Sequence, residues 1–172
     1  MIKSPFLNDL ISFHQYQGKT NNCGPYSASI IVSALKKQIL LGKSLSKYFD
    51  DYPVQLRFPF IFRIPGWATF PWGIAAALKQ YGIKSKWNLL VSTKDLISAL
   101  SQKIVIVLTG SWFPLSGHYR ILVAYDTDKG WGFVDPAVQE NVISWQNDAD
   151  FQTAWKAMGR SVITIKTGKK EI

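Results

Sequence analysis

The sequence has few of the residues from which metal and redox sites are built: one cysteine and two histidines among 172 residues. A single cysteine excludes an internal disulfide. With two histidines it leaves no zinc-ligand spacing, so neither a metal nor another cofactor is expected. Long apolar runs are also missing: the richest region, from Tyr26 to Leu41, is broken by Lys36 and Lys37 and is too short to span a bilayer. The opening residues, Met1-Ile-Lys-Ser-Pro-Phe-Leu-Asn-Asp, contain no apolar signal-peptide core, and the default expectation is a cytoplasmic chain. Acidic residues are outnumbered 11 to 20, which gives a net charge of +9. Such a surplus suits anionic partners in general. Here the basic residues are scattered, with Lys166, Lys169 and Lys170 the only late cluster, and nucleic-acid binding is not expected.

What is present is the apolar and aromatic content of a globular protein, 47% and 14% of residues, in a length that suits one domain over residues 1–172. Leu7, Leu10, Ile11 and Phe13 form a short lead-in that can pack on the body. Ala28, Ile31, Val32, Leu35 and Ile39 trace one face of a helix. Asn21 or Asn22 is placed to cap that helix, Pro25 suits its first turn, and Gly42 is placed to end it. Ser44 to Phe49 suits a short helix. From Val54 to Trp72, prolines 53, 59, 65 and 71 among many aromatics forbid a regular helix; this stretch is either a wall of a substrate cleft or aromatic cover for the helices. Ile74, Ala77, Leu78 and Tyr81 mark a second helix between Pro71 and Gly82, and Ser92-Thr-Lys-Asp95 caps a third. The period then changes: Ile104–Thr109, Tyr119–Tyr125 and Trp131–Val134 read as strands, followed by a helix around Phe151 and Trp155 and a last strand from Ser161. Helices first and strands later, joined by tight turns, predict an α+β fold with an antiparallel sheet packed on the helical half.

The chemistry centres on Gln17-Gly-Lys-Thr-Asn-Asn-Cys23-Gly-Pro, where a turn-rich loop delivers the cysteine to a helix start. Helix-start N–H groups and the positive end of the helix dipole favour thiolate, the nucleophilic form. The plainer reading is a buried structural cysteine. A thiolate needs a base, and of the two histidines His118 is better placed than His14, because it follows Ser116-Gly117 at the start of a strand. Its plainer reading is a strand-end residue bonded to a carbonyl. If Tyr119–Tyr125 and Trp131–Val134 pair as a hairpin, Asp135 returns beside His118 and is expected to accept its Nδ1–H. The side-chain amide of Gln17 is a candidate oxyanion donor alongside the Cys23 N–H, or else a solvated surface group.

These residues, Gln17-x5-Cys23-Gly-Pro, Gly117-His118-Tyr-Arg-Ile-Leu-Val-Ala-Tyr-Asp and Phe133-Val-Asp135-Pro-Ala, resemble the papain superfamily. They are most similar to the bacteriocin-processing, double-glycine-type cysteine peptidases and their stand-alone relatives. The resemblance implies a papain-like fold in which Cys23 attacks an amide carbonyl, His118 moves protons, Asp135 orients His118 and Gln17 helps bind the oxyanion. It also implies a peptide or protein substrate. The transporter-linked members carry membrane and ATPase domains, and this chain has neither a membrane span nor a P-loop. An acyltransferase or deamidase with the same triad, a binding protein whose triad is idle and a cell-wall amidase are the alternative expectations.

Overall fold

The computed structural model describes residues 1–51, 61–64 and 66–167. Of the aromatic, proline-rich stretch, residues 52–60 and 65 lie outside the described residues, as do Lys169 and Lys170 of the late cluster. In chain order the elements are β1 (Ile2–Lys3), α1 (Leu7–Ser12), α2 (Cys23–Lys36), α3 (Gly42–Asp51), β2 (Arg63–Ile64), β3 (Ala68–Thr69), α4 (Pro71–Gln80), β4 (Ser85–Asn88) and α5 (Thr93–Leu100). There follow β5 (Ile104–Trp112), β6 (Leu115–Asp126), β7 (Gly130–Val134), β8 (Ser144–Gln146), α6 (Asp148–Ala157) and β9 (Val162–Ile165). The main sheet runs β4-β9-β5-β6-β7-β8, with β1 added to β6, and β2 and β3 form a separate two-stranded sheet. Every pairing is antiparallel, so the fold is α+β as the element order predicts.

Strand alternation sorts the sheet into two cores. Ile104, Ile106, Ile121 and Val123 pack on α2 and α4 with Ile31, Ile74 and Leu78, while Val105, Val107 and Leu122 face Leu96, Leu100, Phe151 and Trp155 of α5 and α6. The continuous β-branched run of β5 is thus a strand covered on both faces. The lead-in joins the first core through the buried Leu10, with Leu7, Ile11 and Phe13 packed against it. Helix starts read from the sequence hold at α4, where Pro71 is the first residue, and at α5, where the Ser92 hydroxyl accepts from the Asp95 N–H at 3.1 Å.

Three expectations about α2 and α3 are corrected. α2 ends at Lys36, because Lys37 turns into the left-handed region at φ 55° and the Leu40 N–H is taken by the Ser33 hydroxyl. Ile39, read as part of its apolar stripe, is 69% exposed. Gly42 opens α3 rather than ending α2, and glycine is needed there because a Cβ would stand 2.6 Å from the Tyr26 ring. Neither asparagine caps α2 through its side chain. The third helical residue is Pro25, which has no N–H to offer, and Asn21 and Asn22 bond elsewhere.

In the second core, Phe151 lies 4.6 Å from Trp131, 5.7 Å from Phe133 and 5.4 Å from Trp155 between ring centroids. Phe151→Ala is expected to destabilise the protein by about 3–5 kcal/mol, seen as a lower urea midpoint with an unchanged slope. A loss below about 1 kcal/mol would show that the aromatic cluster does not hold α6 to the sheet.

Candidate active site

Cys23 is the first residue of α2 and is 9% exposed. The residue after it must be small. A Cβ on Gly24 would meet the Ile74 Cδ1 and Thr69 Cβ atoms at 3.1 Å and the Tyr119 ring at 3.4 Å, so glycine lets the helix start close onto β3 and β6. Pro25 is harmless in the first turn, whose N–H groups have no partner within the helix. β7 pairs with β6 only from Ile121 onward, which leaves the edge at Tyr119 for α2. The Tyr119 backbone N–H favours the ionised Cys23 thiol, and the Ser27 hydroxyl donates to the Tyr119 carbonyl at 3.3 Å.

The same sheet register brings His118 and Asp135 together: Ile121 pairs with Val134, so the chain leaving β7 passes back along β6. His118 Nε2 and Asp135 Oδ1 are 2.7 Å apart. This corrects the expected ring nitrogen. Nε2 is the nitrogen that reaches Asp135, which leaves Nδ1 as the one available to Cys23. Nor does His118 start its strand: β6 begins at Leu115, and His118 is paired with Thr109 inside it. Asp135 is further held by the Ala137 N–H, which donates to Oδ1 at 2.8 Å.

Two residues that the sequence reading did not place in the site complete this side. His14, weighed as a base, instead donates from Nε2 to the Asp135 carbonyl at 3.0 Å and meets the Asn141 side-chain amide through Nδ1 at 2.8 Å. Arg120 is buried with its guanidinium 4.0 Å from the centre of the Phe133 ring, and its charge favours ionised Asp135. Its place two residues after His118 on one strand was the available signal.

Electrostatics follow from this packing. Burial pushes the Cys23 thiol up, but the hydrogen bond and charge of His118, with the N–H groups of Tyr119 and Gly24, outweigh it and hold the thiol below its ordinary value. Burial pushes His118 down, but hydrogen bonds and charge from Asp135 and Cys23 raise it to about 9. Burial raises Asp135, and His118, the Ala137 N–H and Arg120 bring it below the usual carboxylate range. The arrangement favours a thiolate beside an imidazolium.

The pair opens into a cleft of about 380 Å³. Trp67, Phe70, Leu108, Leu115 and Met158 supply apolar walls, and among the described residues no carboxylate or lysine lines it. The wall reading of the aromatic stretch therefore holds for residues 67–71. Gln17 also lines the cleft. One hydrogen of its amide goes to the Thr20 carbonyl at 2.7 Å, its own N–H donates to the Pro136 carbonyl at 2.8 Å, and Oε1 is buried without a partner. Among the described residues, no group of three potential ligands could hold a metal ion, and no helix is long and apolar enough to cross a membrane.

The model of the Peptidase C39-like family matches residues 8–163. This chain belongs to the C39-like peptidase family. Among solved structures, this C39-like peptidase resembles one from Bacillus anthracis that is also described as C39-like, with a TM-score of 0.66 and 17% identity over 94% of this chain and 97% of the other. A double-glycine-motif protease from an AMS/PCAT transporter, solved with its leader peptide, gives 0.58 and 14% over 89% of each chain. The peptidase domain of Streptococcus ComA, a bifunctional ABC transporter of a quorum-sensing pathway, gives 0.58 and 16% over 88% of this chain and 95% of that domain. At these identities the likeness is one of fold, the papain-like arrangement of helices on an antiparallel sheet. No curated protein sequence matches the chain.

The pH dependence of Cys23 alkylation by iodoacetamide checks the electrostatics. Thiolate should persist below the free-thiol pKa of about 8.5. His118→Ala removes the main opposing influence and leaves burial, so its profile should move to or above that value. Coincident profiles would show that His118 does not stabilise the thiolate.

Proposed function

We propose that this C39-like cysteine peptidase cleaves a peptide or isopeptide bond through a Cys23-His118-Asp135 triad and a thioester acyl-enzyme. The observation that carries the proposal is the His118 Nε2 to Asp135 contact of 2.7 Å, in a site where His118 also holds the Cys23 thiol below its ordinary pKa. Peptide as the substrate class is supported by the relative solved with its leader peptide. The neutral, apolar cleft suits a chain segment without charge beside the scissile bond.

In this mechanism the Cys23 thiolate attacks the carbonyl carbon. The oxyanion forms near the helix start, where the Cys23 N–H and the second hydrogen of the Gln17 amide are the donors. His118 gives its Nδ1 proton to the leaving nitrogen as the C–N bond breaks, which leaves a thioester and a neutral imidazole. That imidazole takes a proton from water, the hydroxide equivalent attacks the thioester, and the C–S bond breaks to return thiolate and imidazolium. Throughout, Asp135 accepts from Nε2 and holds the ring in place, while His14 and the Ala137 N–H hold Asp135.

The rate should be bell-shaped in pH. The acid limb lies where the lowered thiol loses its proton, and the alkaline limb lies near 9, where His118 loses the proton that the leaving group needs. The direct experiment incubates the protein with a peptide mixture, quenches with acid, and looks by mass spectrometry for new termini and for an acyl adduct on Cys23. Both should appear with wild type and vanish in Cys23→Ala; new termini that persist in that variant would contradict the proposal. Gln17→Ala should lower kcat by about 10²-fold with little change in KM. A change confined to KM would remove Gln17 from the oxyanion site.

A further inference from the structure

One buried ionic side chain has no part in the mechanism above. Arg63, on β2, is 2% exposed, and its guanidinium donates to three acceptors on three segments. Nε donates to Asp50 Oδ1 at 2.7 Å, Nη1 to the Thr69 hydroxyl at 2.6 Å and Nη2 to Asn22 Oδ1 at 2.6 Å. Asp50 belongs to α3, Thr69 to the cleft wall, and Asn22 immediately precedes Cys23.

The partner on Asn22 follows from the local sequence. An asparagine at this position ordinarily accepts from the second or third N–H of its helix. Here the third residue is Pro25, without an N–H, and the Asn22 side chain makes no hydrogen bond to the helix start. The Asn22 side chain therefore has no helical donor and takes one from outside. A buried cation beside a helix N-terminus is opposed by the dipole and by desolvation, and Asp50 supplies the opposing charge. The rigid fork of a guanidinium is the one side-chain group that reaches all three acceptors at once.

Two further bonds run alongside. Asn21 donates to the Gly66 carbonyl at 3.2 Å, and the Tyr119 hydroxyl donates to the Thr69 carbonyl at 2.9 Å. The β2–β3 pair is thus tied to the residues before Cys23 and to the residue after His118.

We infer that Arg63 is a positioning residue: its three-way fork locks Asn22 to the β2–β3 wall and so fixes the Cys23 sulfur relative to His118. The inference rests on the proposed Cys23-His118 pair. It assigns Arg63 a geometric role, because its charge is already matched by Asp50.

Iodoacetamide profiles of Arg63→Met, Arg63→Lys, Asn22→Ala and the Arg63→Met/Asn22→Ala double variant test it, on proteins shown to be folded by circular dichroism. Arg63→Met and Asn22→Ala should each move half-maximal alkylation up by about one pH unit, a tenfold loss of thiolate at a fixed acidic pH. The double variant should move it no further, because the two residues act as one unit. Arg63→Lys keeps a charge for Asp50 but no fork, and should behave like Arg63→Met. Unchanged profiles in the folded variants, or full recovery in Arg63→Lys, would overturn the inference. If Arg63→Met does not fold, Asn22→Ala carries the same test. A wild-type profile at the ordinary thiol value would remove the thiolate pair and this inference with it, whereas a low profile shared by all variants would remove this inference alone.

Discussion

The proposed site depends on a sulfur and an imidazole able to share a proton where a helix start meets a sheet. Burial opposes charge on both groups; His118 offsets it at Cys23, and Asp135 together with Cys23 offsets it at His118. Such a pair is held only where the distance between α2 and β6 is fixed. Much of the surrounding structure serves that distance: the missing Cβ at Gly24, the Ser27 hydroxyl on the Tyr119 carbonyl and the edge of β6 that β7 leaves open. Asp135 lies on the far side of His118, and His118, then the Ala137 N–H and Arg120, hold its carboxyl below the usual carboxylate range.

Sheet register does most of the positioning. β6 carries His118, pairs with β5 on one side and sends the chain through β7 back to Asp135. Two cores grip this sheet, one beneath α2 and α4 and one beneath α5 and α6, so the hairpin sits on a platform packed from both faces. The helix carrying Cys23 belongs to the first of these cores. The cleft lies where that helix start, the open edge of β6 and the small β2–β3 sheet converge.

Much of this was legible in the sequence because it is local. The Cys-Gly-Pro step at a helix start, the Gly-His strand and the Asp-Pro turn are short-range patterns. So are the proline that opens α4 and the serine cap of α5. What escaped is non-local. Arg63 is 40 residues from Cys23, and nothing in its neighbourhood shows that its guanidinium ends on Asn22. His14 is weighed as a base only because histidines are scarce, and its partner, the Asp135 carbonyl, is 121 residues away. The orientation of the His118 ring depends on which side of it the sulfur approaches. The end of α2 was misplaced because Lys37 takes a left-handed conformation that side-chain periodicity does not register.

The central claim is that Cys23, together with Asp135, keeps His118 protonated through neutral pH, and titration of the His118 ring by nuclear magnetic resonance on labelled protein measures this directly. In wild type the imidazole should stay protonated through neutral pH and titrate near 9. In Cys23→Ala it should titrate lower, since the thiolate's contribution is gone while Asp135 remains. A wild-type ring that titrates near the ordinary histidine value of about 6.5, unchanged by loss of the thiol, would contradict the account.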